Sequence, residues 1–281
     1  MFYKPEGRTV IMSPSFWHKQ SIGRPLYKDL FWSRPENKIH AGKLLIIGGS
    51  SQTFRAPAEA YAASTKTGIG SARVILPDSL KTQVSKIFAP AVFAPSSNGG
   101  GFAKISLDRL LEESAWADIV LLAGGVGKNS ETAILLESFV DAYKGPLCLC
   151  EDVLEHFIKN PNLLLKRQSS LIVSTLSQLQ KMVSAIKFTT PITTGMDLMR
   201  LTALLHELTL LYQSAIIVKH LDNFIVASGG EVGTTNESTT HNSWTIALGS
   251  IASVWWAHNP KQVFKALNCA TYEYLSPNNP F

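Results

Sequence analysis

Cysteine is scarce in this chain of 281 residues, with only Cys148, Cys150 and Cys269 present. Two cysteines at strand spacing, with no further Cys/His pair, cannot frame a zinc site. The thiols therefore read as core residues in a reducing compartment. Clustered basic charge is also missing. The net charge is +5, but no run of Lys and Arg forms a nucleic-acid footprint. The modest positive balance suits an anionic small ligand such as a nucleotide, and equally a slightly basic surface kept for solubility. Long apolar runs are absent: the stretch from Ile246 to Ala257 contains small and polar residues and falls short of a membrane span. Met1-Phe-Tyr-Lys-Pro-Glu-Gly-Arg8 contains no signal-like apolar block, so the cytoplasm is the expected location, with neither membrane nor nucleic acid as partner. No repeat or low-complexity tract breaks the chain.

What is present alternates between strand and helix. Residues 1–41 carry Phe2, Tyr3, Phe16, Trp17, Tyr27, Phe31 and Trp32 among Pro5, Pro14, Pro25 and Pro35. This stretch reads as an irregular N-terminal arm, its aromatics needing a surface on the body or on a neighbouring subunit. Residues 42–281 read as one α/β domain. Strands are expected at Leu44–Ile47, Ala72–Leu76, Ile119–Ala123, Leu147–Cys150, Ser170–Val173, Ala215–Lys219 and Asn223–Ala227. Helices are expected over Ala56–Thr67 (ended by Gly68 and Gly70), Leu198–Tyr212, Thr245–Trp256 and Lys261–Leu275. Another spans Glu131–Tyr143, with Ile134, Leu135, Phe139 and Val140 on one face. Ser96–Gly101 and Gly229–Asn242 read as flexible loops. The pattern predicts a three-layer α/β/α fold around a mostly parallel sheet. Ligands of such folds sit at the carboxyl ends of the strands, here after Ile47, Ala123, Cys150, Val173 and Lys219.

Two glycine turns mark that edge. Gly48, Gly49 and Ser50 follow the first strand, and Gly124, Gly125 and Gly127 follow Ile119–Ala123. Either turn lets backbone N–H groups approach a ligand, and either also serves as a tight strand-to-helix connection. Lys219 ends a strand, where it faces a phosphate or solvent. Asp152 lies just past Cys150, positioned for a ligand or for capping the helix that follows. His241 has no Ser/His/Asp or Cys/His pattern around it. Trp244, Trp255 and Trp256 read as packing anchors.

Taken in order, these segments resemble the ADP/ATP-dependent NAD(P)H-hydrate dehydratases, a branch of the ribokinase-like superfamily. The resemblance covers Arg34 to Leu275. It is carried by Gly42-Lys-Leu-Leu-Ile-Ile-Gly-Gly-Ser50 (with Asn37 in place of a histidine), by Ala56-Pro57 and Thr67-Gly-Ile-Gly70 (with Arg55 in place of a glycine), by Ala117-Asp-Ile-Val-Leu-Leu-Ala-Gly-Gly-Val-Gly127, by Lys144-Gly-Pro-Leu-Cys-Leu-Cys-Glu-Asp-Val-Leu154 and by Ile217-Val-Lys219. It implies a ribokinase-like fold, a homo-oligomer, and a cleft for a nucleotide and an NAD(P)-type small molecule. ADP or ATP, with magnesium, is the implied cofactor, and no tightly bound metal is expected. The nucleotide-binding and substrate-binding positions carried over are Gly48, Gly49, Ser50, Ala56, Gly124, Gly125, Gly127, Asp152, Thr175, Lys219, Asn242 and Thr245.

The departures fall on the chemistry. In the family an aspartate within Gly-Gly-Thr-Gly-Asp acts as the base. Here His241-Asn-Ser-Trp-Thr-Ile-Ala-Leu-Gly249 puts Thr245 at the aspartate and Asn242-Ser-Trp244 where Gly-Thr-Gly belongs. The first aspartate of Asp-Ala-Asp is Cys150, and Thr-Pro-His-Pro-Gly-Glu is replaced by Val173-Ser-Thr-Leu-Ser-Gln178. Threonine is not a base at neutral pH. The expected function is a dehydratase-like protein that binds a nucleotide or metabolite with catalysis lost or much reduced. The alternatives are an active dehydratase or small-molecule kinase with a relocated base (Asp152, Asp222 or Glu231), and a structural oligomer subunit with a vestigial cleft.

Overall fold

The computed structural model describes residues 14–236 and 243–276. Phe2, Tyr3, His241 and Asn242 lie outside the described residues. After an edge strand β1 (Trp17–Gln20) and a short helix α1 (Lys28–Trp32), the chain alternates: β2 (Lys43–Gly48), α2 (Arg55–Thr67), β3 (Ser71–Pro77), α3 (Lys81–Val84), β4 (Ala91–Ala94), α4 (Leu107–Ser114), β5 (Ile119–Gly124), α5 (Ser130–Ala142) and β6 (Leu147–Cys150). A 3₁₀ turn over Glu151–Phe157 precedes α6 (Asn162–Leu165), β7 (Ser170–Thr175), α7 (Leu176–Ala185) and α8 (Leu198–Leu211). The meander β8 (Ala215–His220), β9 (Asn223–Ser228) and β10 (Glu231–Asn236) leads to α9 (Trp244–His258) and α10 (Val263–Leu275).

The ten strands form one sheet in the order β1-β10-β9-β8-β7-β6-β5-β2-β3-β4. Only β9 runs against its neighbours, antiparallel to both β8 and β10. The central strands are apolar without a break because both faces are covered. Along β2, Leu44 and Ile46 face a core shared with α2, α9 and α10, whereas Leu45 and Ile47 face the core under α4 and α5. All four are fully buried. A third cluster beneath α7 and α8 covers β8 and β9. Three layers result, as the strand–helix alternation predicts.

Chain direction across the sheet reverses at β2 and β5: β3 and β4 extend one way, β6 to β8 the other. This is the topological switch point, where the loops leaving adjacent strands splay apart and open a crevice. Both glycine turns leave from it.

Three sequence-based expectations differ from the structure. Residues 17–20 are not irregular but add a strand parallel to β10, with Trp17 paired to Val232 and Gln20 to Thr235. Trp17 Nε1 donates to Thr234 Oγ1 at 3.0 Å, and Gln20 Nε2 donates to Thr235 Oγ1 at 2.7 Å. Part of the stretch read as a flexible loop, Glu231–Asn236, is the partner strand β10. On α5 the buried residues are Thr132, Leu135, Leu136, Phe139 and Val140, while Ile134 is exposed, because the stripe lies along i, i+1, i+4 and i+5.

Candidate functional site

The two glycine turns lie side by side, as their parallel-sheet context requires: Gly48 pairs with Gly124 across β2 and β5, and Gly49 N–H donates to Gly124 O at 2.9 Å. The approach is so close that a Cβ on Gly48 would stand 2.4 Å from Gly124 O. Gly124 has φ +94°, and a Cβ there would meet Glu151 Cβ at 2.6 Å and Asp152 Oδ1 at 2.8 Å. The space freed by this glycine is thus filled by the protein's own acidic residues. Ser50 closes a small turn with Thr53 through two backbone hydrogen bonds of 2.9 Å. That turn aims the start of α2 at the crevice, with Ala56 buried. Beside it, Ser51, Thr53, Phe54, Arg55, Leu80 and Gln83 help line a shallow cleft of about 380 Å³.

Asp152 binds the second glycine turn. Its Oδ1 accepts from Gly125 N–H at 2.7 Å and its Oδ2 from Gly127 N–H at 3.1 Å. Successive N–H groups in such a turn form a concavity for an anion, and here an internal carboxylate fills it. His156 Nε2 is bonded to Gly127 O at 2.9 Å on the other side of the turn.

Glu151 is the residue that sequence reasoning passed over. Its φ is +59°, unusual for a residue other than glycine, and held strain of this kind concentrates at functional sites. Gln178 Nε2 fixes its carbonyl at 2.9 Å. Gln178 is itself part of a capping box with Thr175, which starts α7. The Glu151 side chain accepts a hydrogen bond from Thr245 Oγ1. Thr245 lies in the first turn of α9, so the carboxylate is brought to the start of a 15-residue helix, the end that favours negative charge. Its position directly after strand-ending Cys150 was the available sequence signal; the neighbouring Asp152 obscured it.

Trp244 packs edge-on against Phe224, ring centroids 5.2 Å apart, and is 9% exposed. Lys219 Nζ lies 5.2 Å from the centre of the same Phe224 ring. Arg55 Nε pairs with Glu59 at 2.8 Å, and another of its nitrogens donates to Ser243 Oγ at 2.7 Å, joining the starts of α2 and α9. Of the other candidate acids, Asp222 lies in the β8–β9 turn at the same edge, whereas Glu231 is at the opposite edge, paired with His18. Asn242 lies outside the described residues. Cys150, beneath the site, is no nucleophile: burial first, then nearby Cys148, Glu151 and Asp152, pushes its thiol well above the usual range. Among the described residues no group of three or more His, Cys, Asp or Glu side chains is arranged to hold a metal ion. No helix among them is long and apolar enough to cross a membrane.

No family model matches the chain. A bifunctional NAD(P)H-hydrate repair enzyme of Methanothermobacter thermautotrophicus is 36% identical over 97 residues, 34% of this chain and 18% of the relative. One from Salinibacter ruber is 29% identical over 118 residues, 41% of this chain and 22% of the relative. The matches thus span about a fifth of these curated relatives' length. Among solved structures, a ribokinase-like superfamily protein from Enterococcus faecalis superposes with TM-score 0.71 at 17% identity, over 94% of this chain and 88% of that one. The chain has a ribokinase-like fold, and over 97 to 118 of its residues it is similar in sequence to NAD(P)H-hydrate repair enzymes. The ADP/ATP-dependent NAD(P)H-hydrate dehydratase of Bacillus subtilis, co-crystallized with ATP and Mg²⁺, superposes with TM-score 0.59 at 13% identity, over 90% of this chain and 87% of that one. At the switch point of this ribokinase-like fold, Asp152, Glu151 and Arg55 are each bonded within the protein.

Proposed function

We propose that this protein binds a small molecule in the ribokinase-like crevice and has lost the nucleotide-dependent dehydration of hydrated NAD(P)H. The observation that carries the reading is Thr245. It stands where the resemblance puts the catalytic aspartate, and its hydroxyl is spent on Glu151. A positioned general base contributes about 10²–10⁴-fold to a rate, and threonine supplies none of it. Trp244, where a phosphate-holding glycine belongs, packs into the core instead. A nucleotide remains the reference ligand because a dehydratase of the same fold was crystallised with ATP and Mg²⁺. The described residues supply no metal cluster of their own, so magnesium would arrive with the phosphates. Three buried free thiols fit the reducing cytoplasm proposed for this protein, and a homo-oligomer is part of the same proposal.

A second reading, a working dehydratase or kinase with a relocated base, is favoured by one observation: the Glu151 carboxylate lies within hydrogen-bonding reach of the Thr245 side chain. One assay separates the two. Purified protein is incubated with hydrated NADH or NADPH and either ADP or ATP with Mg²⁺, and the return of nicotinamide absorbance is followed. No turnover above background is expected. Robust turnover that Glu151→Gln abolishes would replace the first reading with the second.

A further inference from the structure

A cavity of about 490 Å³ opens at the edge of the sheet opposite the two glycine turns. Four stretches far apart in sequence meet there: His18 of β1, Tyr27 just before α1, the β9–β10 turn with Glu231, and residues 261–265 around the start of α10. Its size falls within the usual range for a small-ligand pocket. One wall is aromatic. The Phe264 ring lies 5.7 Å from the His18 ring and 6.3 Å, edge-on, from that of Tyr27. Phe264 and Tyr27 are half-buried and pack against the core shared by α2, α9 and α10, which fixes where their rings stand. The rim carries the charge. Lys261 and Lys265 are both exposed, and among the described residues neither is in an ion pair. Lys265 Nζ lies 5.7 Å from the centre of the Tyr27 ring. Glu231, the cavity's own carboxylate, is bonded to His18 Nε2. With two lysines against one glutamate, the lining is positive whether or not His18 carries a proton. The flanking charges do not reverse this: Lys28 and Asp29 offset each other beside Tyr27, and Lys19 turns to the Trp17 ring, 4.0 Å away.

We propose that this cavity is a second binding site, for a small planar aromatic anion whose ring lies against Phe264 and Tyr27 and whose charged group sits between Lys261 and Lys265. A flat ring set against aromatic side chains gains offset or edge-on contact beyond the area it buries. The lysines suit the other end of the ligand, because an ammonium on a flexible stem can turn toward a phosphate or a carboxylate without a fixed geometry. Neither half alone specifies the ligand: the rings accept any flat apolar group, and the lysines accept any anion. His18 supplies the remaining requirement. Its bond to Glu231 occupies the one carboxylate that would repel an anion. His18 reaches the cavity only because residues 17–20 add β1 beside β10, so the first ordered stretch of the N-terminal arm completes the site. The site is separate from the switch-point crevice and does not depend on what that crevice binds.

The experiment is a ligand-observed NMR titration of the full chain with phenyl phosphate, inorganic phosphate and benzyl alcohol. It is run on the natural protein, on Lys261→Gln/Lys265→Gln and on Phe264→Leu. In the natural protein phenyl phosphate should bind about tenfold or more tightly than either of the other probes, since it alone makes both kinds of contact. The double lysine variant should lose about tenfold in affinity for phenyl phosphate and stay level for benzyl alcohol. Phe264→Leu should lose about threefold or more for phenyl phosphate and stay level for inorganic phosphate. Thermal melting checks that each variant is folded. The lysines are exposed, so the double variant and the comparison of probes decide the matter even if Phe264→Leu does not fold. Phenyl phosphate that binds no more tightly than the other probes, that does not bind at all, or that binds equally well to either folded variant overturns the inference. Equal binding to the variants would place the probe elsewhere on the protein. Turnover in the hydrate assay bears on the proposed function alone.

Discussion

The two sides of the crevice hold their shape by different means. On the β2–β5 side the contact is backbone on backbone: Gly49 N–H meets Gly124 O at 2.9 Å, and nothing larger than hydrogen fits on Gly48. On the β6–α9 side it is made through side chains, with Thr245 bonded to Glu151 and the Cys148 thiol donating to Gly249 O at 3.7 Å. A backbone contact leaves no choice of residue, because any Cβ displaces a strand. A side-chain contact can be exchanged for another of similar size and polarity. Such a difference lets a ribokinase-like fold keep its shape while the side chains at its switch point are exchanged.

The sharpest way to break the comparison is to put a methyl group into the backbone contact. In Gly48→Ala the new carbon would sit 2.4 Å from Gly124 O and 3.0 Å from a Pro57 ring carbon, with no flexible side chain free to move away. Overpacking of this kind costs about 3 kcal/mol, and Tm should fall by roughly 6 °C or more. A variant melting within about 1 °C of the natural protein would show that β2 and β5 are not fixed by this contact.

A smaller effect tests the side-chain half. Burial pushes the Cys148 thiol up to about 12 from 9.0. A raised folded pKa means that, between those values, the folded state keeps a proton the unfolded state has lost. Its contribution is fully present below pH 9 and disappears as pH rises toward 12. Each such group removes about 1.4 kcal/mol of stability per pH unit in that window. Urea denaturation at pH 8, 9 and 10 should show the decline, and Cys148→Ala should flatten it by one group's share. At pH 8 all three cysteines should resist a thiol reagent until the protein is unfolded. Rapid labelling of Cys148 or Cys150 in the native protein would mean that α9 does not seal β6.

Much of this arrangement was legible in the residues, because fully buried parallel strands write themselves as unbroken apolar runs such as Leu44–Ile47 and Ile119–Ala123. The two glycine turns follow such runs directly, which is why their adjacency could be expected. Trp17–Gln20 was not legible. Its four residues show no alternation, and the strand exists only because β10 offers an edge; β10 in turn, with Gly233, Thr234 and Thr235, reads as a loop. The role of Asp152 depends on two N–H groups of Gly125 and Gly127, more than twenty positions away in sequence. That of Glu151 depends on Thr245, 94 positions away, and on a left-handed backbone that glutamate does nothing to advertise.

The last test has the smallest expected effect and the opposite sign. Gly249 is interior to α9, where glycine costs about 0.5–1 kcal/mol relative to alanine because its backbone loses more freedom on folding. Its surroundings differ from those of the turn glycines. A Cβ there would meet Cys150 Cβ and Sγ at 3.6 Å and Cys148 Sγ at 3.7 Å, ordinary contact distances. The methyl group would fill space against two soft sulfur atoms rather than strike a carbonyl. Gly249→Ala should therefore stabilise the protein by about 1 kcal/mol, a rise of roughly 2 °C in Tm, in the same background where Gly48→Ala destabilises it. A loss of stability in Gly249→Ala would mean that α9 lies closer to β6 than its side-chain contacts indicate, and that both sides of the crevice are held by backbone after all.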